Sequence, residues 1–143
     1  MQSKPKFCLF CKATRIRANS RPINNSEDAL TYLKFFRKEK QEYFVCLSLD
    51  AGLRPVTRTI VTIGLLDRVM AHPREIFAQP LIDRAALIVV AHNHPSGNPK
   101  PSRRDVATTQ QLIAAGQLIG LPIWDHIIVT PKSYYSFKDD GWV

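Results

Sequence analysis

Two histidines separated by one residue, His92-Asn93-His94, follow an uninterrupted apolar run from Ala85 to Ala91. A run of that length reads as a strand covered on both faces. On extended chain, residues i and i+2 point to the same side. Both imidazoles can therefore reach one metal ion, zinc–imidazole bonds being about 2.0–2.1 Å long. A Pro/Gly-rich stretch, HNHPSGNPKP, then leads to Ser102-Arg103-Arg104-Asp105, which has the composition of a helix start. Asp105 in that first turn faces back towards the strand end. Two imidazoles and one carboxylate, with a fourth position left to water, make the donor set of a catalytic rather than a structural zinc site.

Each piece has a plainer reading. Ser102-x-x-Asp105 is also a variant of the capping box, and a single histidine at a strand end is ordinary polar surface. The pair, the carboxylate and a loop of rigid residues together favour a metal, because such a loop has to place something. Asp125 and His126 are neighbours on a second apolar segment, so they face opposite sides and cannot both line one site. Packing within the strand is the simplest role for them; a hydrogen bond from one of them to a ligand imidazole is the other.

The elements that must position these groups follow from periodicity. Ser26 caps a helix with Glu27 and Asp28 in its first turn and Lys34, Arg37, Lys38 and Lys40 in its last turns, as the helix dipole favours. In EYFVCLSLD, residues Tyr43, Val45, Leu47 and Leu49 fall on one face, and Glu42, Phe44, Cys46, Ser48 and Asp50 on the other. With a turn at Ala51-Gly52 and a β-rich run ending at Ile63, residues 42–63 predict a hairpin. His72-Pro73 opens a helix towards Arg84 that Pro80 should kink or split. Strands are predicted at 85–92 and 123–130, a helix from Ser102 to Ile119 stopped by Gly120, and a last strand in SYYSF. Strands mixed with helices around a buried central strand give an α/β or α+β sandwich.

The chain of 143 residues, 45% hydrophobic and 22% charged, fits one folded domain and excludes wholesale disorder. Its net charge of +8 is unevenly spread. Residues 1–21 hold Lys4, Lys6, Lys12, Arg15, Arg17 and Arg21 and no acid, six of the eight excess charges. The expected organisation is a basic N-terminal arm or linker over 1–25, and a nearly neutral domain over 26–143. Such an arm can touch nucleic-acid phosphates, although a solvated tail has the same composition. Cys8 and Cys11 form a CxxC without a second half, and read as two unlinked thiols; Cys46 reads as a small core residue. Three cysteines, no membrane-length apolar run and no secretory h-region predict a soluble, cytoplasmic protein without contact with a membrane.

The string HNHPSGNPKPSRRD, followed by DHIIV and YYSF and preceded by HPREIF at 72–77, resembles the RadC-like branch of the JAMM/MPN+ (JAB domain) zinc metallopeptidases. The resemblance implies a single α/β domain of the MPN/JAB, cytidine-deaminase-like type, a mixed β-sheet flanked by helices. It also implies one Zn2+ per chain, held by His92, His94 and Asp105. That family takes its acid/base from a glutamate on an earlier strand, and this chain has four glutamates, Glu27, Glu39, Glu42 and Glu75. Glu42 opens a strand as the family's glutamate does. Glu75 suits a helix first turn, and Glu27 and Glu39 a solvated helix face. The implied chemistry is hydrolysis of an amide in an unidentified protein or peptide substrate. Zinc polarises the scissile carbonyl, Glu42 takes a proton from water, and Ser102 donates to the oxyanion besides or instead of capping its helix. The competing reading is a DNA-repair-associated accessory protein that binds DNA or partners. A metal-free interaction module is disfavoured by the complete ligand set, and a zinc–water site does not by itself name its substrate.

Overall fold

A computed structural model of the chain describes residues 12–64 and 72–143. Strands β1 (Lys12–Arg15), β2 (Glu42–Leu49), β3 (Pro55–Gly64), β4 (Leu87–Asn93), β5 (Ile123–Val129) and β6 (Tyr134–Ser136) form one mixed sheet in the order β1-β3-β2-β4-β5-β6. Helix α1 (Ser26–Leu33) covers one face; α2 (Pro73–Ile82) and α3 (Arg103–Ile119) cover the other. Among the described residues no helix is long and apolar enough to cross a membrane.

The alternation read from EYFVCLSLD assigns the faces. Val45, Leu47 and Leu49 join Ala29, Leu33 and Phe36 under α1, while Phe44 and Cys46 join Ile76, Phe77 and Leu112 under α2 and α3. Among the described residues, only β4 and β5 pair in parallel. A parallel pair needs a crossover, and α3 is that crossover. Its N-terminus consequently returns to the end of β4 where the histidines lie.

Two features hold α3 in place. Gly120 closes the helix in the left-handed region (φ 72°), a conformation costly for residues with a Cβ. At Gly116 the backbone of the following loop comes so close that a Cβ would lie 2.5 Å from the Leu121 carbonyl oxygen. Gly116→Ala is therefore expected to destabilise the domain by about 1–3 kcal/mol, as other overpacking substitutions do. Thermal unfolding checks this, and an unchanged Tm would show that the loop moves aside freely.

Three expectations need correction. The stretch expected to be an arm or linker contributes to the sheet: Lys12–Arg15 pairs antiparallel with β3, Ile16 N–H donates to the Val56 carbonyl, and Ile23 is fully buried. Helix α1 stops at Leu33 instead of running to Lys40, is capped by Asn25 rather than Ser26, and continues as a 3-10 turn over Lys34–Phe36. The tighter turn buries Phe36 and lets the Arg37 guanidinium donate to the carbonyls of Thr130 (2.7 Å) and Ser133 (3.0 Å). Those long-range bonds outweigh continuation of the helix. Pro80 does not split α2, because it lies in the last turn and its missing N–H forgoes one bond near an end. Cys46 is a buried free thiol, as expected; Cys8 and Cys11 lie outside the described residues.

Candidate metal centre

The even-numbered residues of β2 and β4 that end under α3 build the site. Glu42 and Phe44 come from β2, His92 from β4, and His94 from the first loop residue beyond it. The His92 ring lies flat against Phe44, with centroids 5.8 Å apart and planes 6° from parallel. Its Nε2 is 3.0 Å from His94 Nε2 and 3.2 Å from Asp105 Oδ1; His94 Nε2 is 3.1 Å from Asp105 Oδ2. Glu42 Oε1 stands farther off, 4.0 Å from His92 Nε2. Glu42, His92 and His94 each offer a ligand atom within 4.8 Å of the others. The group lines a cleft of about 850 Å³ that also takes in Ser102, Arg104 and Thr108.

The capping box of Ser102 and Asp105 forms. Ser102 Oγ accepts from Asp105 N–H at 3.1 Å, and Asp105 Oδ2 accepts from Ser102 N–H at 2.7 Å, a reciprocal capping box. The same box aims the Asp105 carboxylate at the two imidazoles. Burial would raise its pKa, but the hydrogen bonds with His92 and His94 and the Ser102 amide hold it well below the usual carboxylate range. His94 shows the reverse balance. Burial lowers its pKa, and Asp105 together with the Asn98 carbonyl outweighs that and raises it.

These donors fit a tetrahedral cation. His94 Nδ1–H donates to the Asn98 carbonyl oxygen at 2.8 Å, and a carbonyl can only accept. With Nδ1–H so committed, the neutral ring offers its Nε2 lone pair to a cation, whereas a proton on Nε2 makes the hydrogen bond to Asp105 that holds the carboxylate's pKa down. Bonds of about 2.0–2.1 Å at tetrahedral angles require ligand atoms about 3.3 Å apart. The two Nε2 atoms, 3.0 Å apart, are close to that spacing, and Asp105 presents a different oxygen to each, Oδ1 3.2 Å from His92 and Oδ2 3.1 Å from His94, so that the three side chains form a triangle. Glu42 lies outside the triangle but beside it, and burial raises its pKa above the ordinary glutamate value.

One residue with structural consequences escaped the sequence reading, and a second was only half read. Asn93, between the two histidines, points to the opposite face and is fully buried. Its Oδ1 accepts from Tyr43 N–H at 2.6 Å, and its Nδ2 donates to the carbonyls of Glu39 (3.2 Å) and Gln41 (3.0 Å). One side chain thus fastens both sides of Glu42 to the histidine strand. The i, i+1 alternation could have shown that Asn93 faces away, but not what it meets. Of the two roles open to His126 the structure shows the second: it is buried with Nε2 2.9 Å from His92 Nδ1, a hydrogen bond to the imidazole of His92. Asp125 faces the other side, as alternation requires, where it accepts from Ser136 Oγ at 2.7 Å and Lys138 N–H at 3.0 Å. Burial pushes its pKa up to about 6. Glu75 sits in the first turn of α2, away from the cleft and 3.7 Å from Arg74.

Comparison with protein families matches residues 23–142 to the RadC-like JAB domain. A UPF0758 protein of Methanosarcina mazei is 38% identical over 131 residues, covering 91% of this chain and 57% of the relative. A UPF0758 protein of Bacillus cereus is 40% identical over 139 residues, 96% of this chain and 62% of the relative. The chain thus spans somewhat more than half the length of these relatives.

Proposed function

From the premise that this chain belongs to the RadC-like JAB domain family, we propose that it is a metal-dependent hydrolase of amide bonds, a peptidase or isopeptidase using one zinc ion. His92, His94 and Asp105 hold the ion in this reading, Glu42 is the acid/base, and Ser102 assists. The observation that supports it best is the convergence of two imidazole Nε2 atoms and a carboxylate within 3.0–3.2 Å of one another at the bottom of a cleft.

A divalent ion held there supplies Lewis acidity, polarising a carbonyl and making water acidic enough to ionise near neutral pH. The remaining work falls to the chain. Glu42 stands next to the ligand triangle without closing it, in position to accept the proton of an attacking water and to return it to the departing amine. Its raised pKa brings it nearer the range in which one carboxylate performs both transfers. Ser102 caps α3 through its lone pair, which leaves its hydroxyl hydrogen to donate to an oxyanion. Phe44, stacked on His92, excludes water from the inner wall.

Hydrolysis of peptide-linked and isopeptide-linked reporter substrates tests this. Activity is expected to fall at least about a hundredfold on treatment with a strong zinc chelator and to return with added zinc, as the loss of a Lewis acid requires. Chelator-resistant hydrolysis would overturn the proposal.

A further inference from the structure

We infer that Thr109 and His126 form a hydrogen-bonded relay that fixes the tautomer of His92 and presents its Nε2 lone pair to the metal site; the inference rests on the metal-centre reading above. The chain of donors can be followed atom by atom. Thr109 Oγ1 donates its one hydrogen to the Asp105 carbonyl oxygen, 2.7 Å away. Towards His126 Nδ1, 2.6 Å away, that oxygen can then only accept, so Nδ1 carries the His126 proton. The neutral His126 ring is left with a lone pair on Nε2, 2.9 Å from His92 Nδ1. His92 Nδ1 must in turn be the donor, which in the neutral, metal-binding form of the ring leaves Nε2 unprotonated, 3.0 Å from His94 Nε2.

The opposite tautomer would place a hydrogen where a cation should bind. His92 has no carbonyl partner comparable to Asn98, which does this for His94; its orientation is delegated through a second ring to a hydroxyl. The rings in the relay are also fixed by packing. His92 lies against Phe44, and His126 stacks on Phe137 with centroids 4.8 Å apart and planes 14° from parallel. Thr109 and His126 are fully buried, so water does not supply an alternative acceptor at that end. Thr109 further ties the relay to α3, since its acceptor is the main chain of Asp105, whose carboxylate is on the other side of the triangle. In these terms Thr109 and His126 are positioning residues.

Thr109→Val keeps the shape and removes the hydroxyl; Thr109→Ser keeps the hydroxyl. Zinc affinity is measured by competition with a chromophoric chelator, and circular dichroism reports the fold. Affinity is expected to fall about 10–100-fold in Thr109→Val, the range known for outer partners of metal-bound histidines, and to return to within about threefold of wild type in Thr109→Ser. Long-range 1H–15N spectra of the zinc-loaded wild type should place the proton on Nδ1 of both His92 and His126. Equal affinity in folded Thr109→Val, or a His126 proton on Nε2, overturns the relay while leaving the metal centre standing. If Thr109→Val fails to fold, the wild-type spectra decide. A wild type that takes up no zinc overturns both readings.

Discussion

Elemental analysis is expected to find about one ion per wild-type chain and almost none in His94→Ala. His94 supplies one corner of the triangle, and its removal leaves His92 and Asp105 3.2 Å apart with nothing opposite. Structural zinc sites bind with an apparent free energy of about 10–16 kcal/mol, roughly 3 kcal/mol or more per ligand when shared among four. Losing one ligand thus costs at least about two orders of magnitude in affinity, enough to empty the site during purification. The fold should survive, because His94 lies just beyond the end of β4 and its side chain does not enter either core cluster. Full metal retention in His94→Ala would remove this residue from the ligand set.

Glu42→Gln separates two roles that proximity alone leaves mixed. The substitution is isosteric and removes only the proton-accepting charge. The carboxylate is 4.0 Å from His92 Nε2, beyond the 3.0–3.2 Å edges of the triangle, so the ion should be retained. Hydrolysis should fall about 10²–10⁴-fold, the usual contribution of a general acid/base. Metal analysis and rate are read on the same sample. Loss of the ion would make Glu42 a ligand, whereas full activity with full metal would move the proton transfer to another group.

The parts of this site that were legible in the sequence are those governed by local periodicity. The side-chain period of a strand puts His92 and His94 on one side, and Glu42 opposite Tyr43, with no knowledge of the rest of the chain. The box Ser102-x-x-Asp105 is likewise local, and the cap that forms also turns the Asp105 carboxylate towards the two imidazoles. What remained hidden depends on register. His126 reaches His92 only because β5 pairs in parallel with β4, with Val90 opposite His126, and no feature of DHIIV specifies that alignment. Arg37 leaves the expected helix for carbonyls more than ninety residues further along the chain. The basic composition of residues 12–25 masked an edge strand, because lysine and arginine suit the outermost strand of a sheet as well as they suit a tail.

The Asn93 clasp bears on how fast such a centre can work. Its three bonds join the backbone on either side of Glu42 to the residue between the two histidines. Glu42 and the imidazoles therefore belong to one stiff body, and in the proposed hydrolysis their separation would not wait on a flap or hinge. Were charge to develop on a substrate there, little rearrangement would remain to be driven, and the corresponding share of the barrier would have been met in advance by folding.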